Sequence, residues 1–177
     1  MNDQEWKQIR WLIHIHPQIG WDVLKSWDQS YNQPLSVEDI ELQKADKNML
    51  AENFNSAFAS YQKLAVQILK MPKNLKEQNM KLYWTLVHSM ARAAYGAKNY
   101  ELALQYYQKI PVTYELFRQV QFEKMWSAYR AEKIEMAIGA VASQASAYFS
   151  SFFEPETYLL QFYIFKRMCR DYEISKI

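Results

Sequence analysis

The spacing of apolar side chains along the chain is helical almost throughout, recurring every three or four residues rather than alternating. Residues 5–16 carry one such run, which ends at His16 before Pro17, where helices ordinarily stop. A second short helix is predicted over about 20–31, followed by a turn at Tyr31-Asn32-Gln33-Pro34. Ser36 and Asp39 form a variant capping box that opens one long helix. The first part of that helix, Glu38 to Asn48, is mostly polar. Leu50, Phe54, Ala57, Phe58, Tyr61, Leu64, Ala65 and Ile68 then mark an apolar stripe closing at Pro72.

From about residue 75 the pattern repeats with a period of 34 residues. Ala94 and Ala128 are 34 apart, and so are Tyr95 and Tyr129, Tyr100 and Ile134, Ala103 and Ala137, Leu104 and Ile138, and Tyr107 and Val141. Small residues fall on small and large on large, as close packing of two antiparallel helices requires. Tight turns are predicted at Lys98-Asn99 and Glu132-Lys133, and Pro111 is expected in the first turn of the helix that opens the second copy.

Ala91, Ala94, Tyr100, Ala103, Tyr107 and Pro111 occupy positions that resemble the tetratricopeptide repeat. The resemblance covers two repeats, about 78–111 and 112–145, and a partial third over 156–177, with Glu156 to Arg170 as its first helix and Tyr172 as its turn tyrosine. Residues 54–71 match half of an earlier unit through Ala57 and Tyr61. The stretch from Phe122 to Arg130, with Ala137-Ile138-Gly139, Tyr148-Phe149, Pro155-Glu156, Leu159-Leu160 and Cys169-Arg170, looks like bacterial envelope-associated members of that family. The implied fold is an all-α, right-handed solenoid of helical hairpins with an N-terminal helical cap. Residues 1–53 would form the acidic cap and 54–177 the repeat domain. Two chains pairing through exposed solenoid ends is the alternative way to cover them.

Composition agrees with helix and narrows the function. Glycine occurs only three times, which leaves no Gly-rich loop for a phosphate or dinucleotide. Residues 1–53 carry 5 Lys/Arg against 9 Asp/Glu, whereas 54–177 carry 16 against 10, so either the two parts attract each other or the second favours an acidic partner. A total net charge of +2 is too small for a nucleic-acid footprint. No apolar run reaches the roughly 18 residues of a membrane span, so membrane insertion is not expected. The acidic N-terminus lacks the features of a secretory signal, which points to the cytoplasm, with the periplasm as alternative if the chain is a mature form.

Chemistry finds little support. His14 and His16 are two apart and point to opposite faces of a helix, so no metal site is expected. Cys169 lies in an apolar helical run and reads as a core thiol. Glu38, Asp39 and Glu41 complement a helix dipole. No catalytic residue and no cofactor is assigned.

The family resemblance places a concave groove on the first helix of each pair. It would be lined by His88, Arg92 and Tyr95 in the first unit, by Gln119, Phe122, Trp126, Tyr129 and Arg130 in the second, and by Arg167 in the third. Rings interleaved with guanidinium groups suit capture of a peptide or helix of another protein. The expected function is an adaptor or scaffold. A small cytoplasmic secretion chaperone of the same type is the alternative, and RNA reading by helical repeats ranks behind both.

Overall fold

The computed structural model describes residues 37–144 and 155–168. Those residues form helices and turns, with no strand among them. The chain divides into two compact units, Met1–Ser89 and Met90–Ile177.

In the first unit, α1 (Val37–Leu50) and α2 (Phe54–Lys70) pack as a hairpin, and the short α3 (Lys73–Gln78) follows. Ala45 on α1 and Ala57, Tyr61, Leu64, Ala65 and Ile68 on α2 are buried. The alanines let the two backbones approach, and the Tyr61 hydroxyl donates 2.6 Å to Asp46 Oδ1, satisfying a carboxylate that is 7% exposed. The single long helix expected from Ser36 to about Met71 is therefore two helices. Glu52 breaks it by taking a left-handed φ of 58°. Helical spacing persists across the break because both helices bury a stripe against each other, so periodicity alone hides the turn. The boundary drawn at residue 53 from the change of charge falls inside this turn.

α4 (Met80–Gly96) contributes its residues up to Ser89 to the first unit and those from Met90 to the second. The second unit continues with α5 (Tyr100–Lys109), α6 (Phe117–Arg130), α7 (Ile134–Gln144) and α8 (Pro155–Arg167). Here α5 packs on α6, α6 on α7, and α8 on both α6 and α7. Their common core joins Leu104, Met125, Ala128, Ala137, Val141, Leu160 and Ile164, with Phe122, Trp126, Tyr129 and Phe165 packed against it. Each fully buried Leu, Ile or Met of this kind contributes about 2 kcal/mol.

The 34-residue period is visible in the backbone. After α4, the Ala97 N–H donates to Ala93, Lys98 to Tyr95 and Asn99 to Ala94, and Ala103 then donates back to Asn99. After α6, Ala131 donates to Ser127, Glu132 to Tyr129, Lys133 to Ala128 and Ala137 to Lys133. Lys98 and Glu132 hold φ at 61° and 62°. This is a left-handed C-terminal cap that satisfies the last helical carbonyls, made twice without glycine. Ala94, Ala103, Ala128 and Ala137, the expected close-approach residues, are all buried. The α1–α2 turn repeats the scheme once more, with Ala51 donating to Lys47, Glu52 to Met49, Asn53 to Asn48 and Ala57 to Asn53.

Pro111 does not open a helix as expected. It begins a loop of two successive turns, closed by Tyr114 N–H to the Pro111 carbonyl and Phe117 N–H to the Tyr114 carbonyl, and α6 starts at Phe117. Burial of Tyr114 at 6% exposure fixes that loop, a tertiary contact with no local signature. The helix expected from Glu156 to Arg170 is described as Pro155–Arg167. The predicted helices before residue 36, His14, His16, Cys169 and Tyr172 lie outside the described residues.

Candidate partner-binding surface

The residues expected to line a groove have separate fates. His88 is fully buried at 0% exposure, so it is not available on a surface, and the reading of it as a groove residue is corrected. Its ring fills the interior because α4 is apolar on more than one side, with Leu86 and Val87 equally buried.

Arg92 is half-buried and engaged within the chain. Its Nε donates to both Glu123 carboxylate oxygens at 3.0 Å, and its Nη2 donates to Oε1 at 2.6 Å. The Tyr107 hydroxyl donates to Glu123 Oε2 at 2.9 Å. One carboxylate from α6 thus ties the end of α4 to α5, in the two-pronged geometry that makes Arg–carboxylate pairs strong. Burial alone would lower the Arg92 pKa, but its hydrogen bond to Glu123 and that group's charge together hold it above the ordinary value. Tyr107 is pushed well above the usual phenol value, first by burial and then by the Glu123 charge and hydrogen bond. Arg92 is therefore a structural cation with little left to offer a ligand. Lys124, next along α6, is half-buried, and its pKa is lowered by that burial.

Tyr95 is half-buried and meets Tyr100 edge-on at 5.2 Å between ring centroids. Gln119 and Phe122 are half-buried, with Phe122 packed against the core. Further along α6 the surface opens. Trp126 and Tyr129 meet at 6.2 Å, and each ring also meets Tyr163 of α8 at 6.4 Å, the Tyr129–Tyr163 pair being stacked. These rings are partly exposed, and Tyr163 is 41% exposed. Arg130 is exposed and makes no ion pair among the described residues. Arg167 is exposed and donates 3.2 Å to Glu132. The structure thus joins Trp126 and Tyr129 to Tyr163, with Arg130 one turn beyond Trp126 on α6 and Arg167 one turn beyond Tyr163 on α8.

Sequence reasoning missed Glu123, Tyr163 and Lys166. Glu123 was legible in principle, because it lies one helical turn before Trp126, the 34-residue counterpart of Arg92, and so faces the preceding first helix. Tyr163 was not, since the chain between α7 and α8 breaks the period. Among the described residues no cluster of His, Cys, Asp or Glu could hold a metal ion, and no helix is long and apolar enough to cross a membrane. Comparison with protein-family models, curated proteins and solved structures found no match to this chain.

Proposed function

We propose that this chain is an interaction module of the tetratricopeptide type, a right-handed stack of helical hairpins that holds a segment of another protein and catalyses nothing. The observation that carries the reading is the half-open cluster of Trp126, Tyr129 and Tyr163 beside an exposed Arg130 that has no ionic partner among the described residues. Partly exposed aromatic rings with an unengaged guanidinium are what protein interfaces use as anchors. Supporting it are the two left-handed turns at Lys98 and Glu132, one repeat apart, with the same hydrogen bonds and the same buried alanines. Helices stacked in this way present successive first helices along one surface.

The binding surface is then centred on α6 and α8. Replacement of Arg92, which belongs to the Glu123 network, disturbs folding and does not report on capture. The test is photo-crosslinking in cells producing the full chain with benzoylphenylalanine at Tyr129, at Tyr163 or at exposed Gln62 of α2. Discrete protein adducts from the first two positions and none from the third are expected. Equal adducts from all three, or none from Tyr129 and Tyr163, would refute the reading.

A further inference from the structure

The side chains around the aromatic cluster carry information about what it binds. On α6, Trp126 and Arg130 are four residues apart and share a face; on α8, Leu159, Tyr163 and Arg167 follow one another at the same interval. The Trp126–Tyr163 contact joins these two stripes into one surface. Leu159 is 47% exposed and continues the apolar ground past Tyr163. A single exposed leucine is ordinary, whereas one contiguous with three partly open rings marks a contact surface.

That ground is rimmed by cations. Arg130 is unpaired among the described residues. Lys166, three residues beyond Tyr163, is exposed and, among the described residues, engaged only by the Phe162 ring, 6.0 Å from its centroid. Arg167 meets Glu132, but both side chains are largely in water, so an incoming carboxylate can replace Glu132 at little cost. Among the described residues, Glu132, which meets Arg167, is the one carboxylate paired with any of these three cations. The apolar ground is therefore bordered by positive charge where α6 and α8 end, which attracts anionic segments and repels basic ones.

Resting on the function proposed above, we infer that the partner segment is acidic. It places an aromatic or aliphatic anchor on Leu159, Tyr163 and Trp126 and sets carboxylates against Arg130, Lys166 and Arg167 beyond them. Rings supply the buried area, and the guanidinium and ammonium groups fix the charge and register of the segment.

The experiment is selection of a phage-displayed library of random 16-residue peptides on the full chain, in parallel with chains carrying R130E and K166E together, Y163A, or L159A. Enriched peptides are then synthesised and their affinities measured by fluorescence anisotropy. The expected result is enrichment of Asp and Glu beside a Phe, Trp or Leu. Binding should fall roughly tenfold or more with R130E/K166E and with rising salt, as screened charge pairs require. Y163A and L159A should weaken it while circular dichroism stays unchanged. Enrichment of neutral or basic peptides whose binding still depends on Tyr163 would overturn the acidic partner and leave the docking surface standing. Enrichment indifferent to Tyr163, Leu159 and the charge reversals would overturn both.

Discussion

Within the second unit α6 makes two junctions, one with the end of α4 and one with α8, and they are built from opposite chemistry. Between α4 and α6 the contact is Arg92 with Glu123, locked by Tyr107 and followed on α6 by the half-buried Lys124. Between α6 and α8 the corresponding contact is Trp126 with Tyr163, followed on α8 by the buried Ile164. The register supports the correspondence: Trp126 lies one repeat after Arg92, and Val120 and Leu160, three residues before Glu123 and Tyr163, are both buried at 0% exposure. A carboxylate that accepts from two side chains is saturated and closes its junction. Rings that touch at more than 6 Å and stay partly wet leave theirs open. The two junctions are therefore a structural joint and a candidate binding joint, according to which side chains occupy each.

The comparison breaks most sharply on stability. Replacing Glu123 by Ala leaves a half-buried guanidinium unpaired and removes the acceptor of Tyr107, and should cost about 3 kcal/mol in urea unfolding. Replacing Tyr163 by Ala removes two partly exposed ring contacts and should cost only about 1 kcal/mol. Equal costs would mean that the α6–α8 joint is as structural as the other.

A smaller effect lies in alkali. Tyr107 holds its proton more firmly folded than unfolded, where a phenol titrates near about pH 10. Its contribution is thus complete below about pH 10 and lost as pH rises through the folded value. Thermal midpoints taken between about pH 9 and about pH 11 should fall less steeply in Tyr107→Phe than in the parent chain. A parallel decline would remove Tyr107 from the lock.

The smallest effect tests the shared turn. Lys98 is exposed and holds a left-handed backbone, so Lys98→Gly should stabilise by about 0.5 kcal/mol after the added freedom of the unfolded chain is counted. A glycine at exposed Gln105, inside α5, should destabilise by about 1 kcal/mol.

Much of the helical framework was legible. The spacing of Ala94, Ala103, Ala128 and Ala137 gave the hairpins, and Lys98-Asn99 and Glu132-Lys133 gave their turns. The break at Glu52 was legible after the fact, since Ala51-Glu52-Asn53 reads like Ala97-Lys98-Asn99, but a buried stripe running through both helices concealed it. The candidate site was read less well. Trp126 and Tyr129 are in contact and partly exposed and Arg130 and Arg167 are exposed, whereas His88 is interior and Arg92 is consumed by Glu123. Ionic and ring partners come from helices more than thirty residues apart, and a period broken between α7 and α8 gives no count by which to align Tyr163 with Trp126.

Local spacing determined that this chain forms short helices, where the alanines of close approach fall, and where two of its tight turns lie, because these depend on neighbours within one or two helical turns. Only the tertiary structure decided which arginine remains exposed and which ring stays wet. Those outcomes rest on the carboxylate, or its absence, that a distant helix brings to each junction.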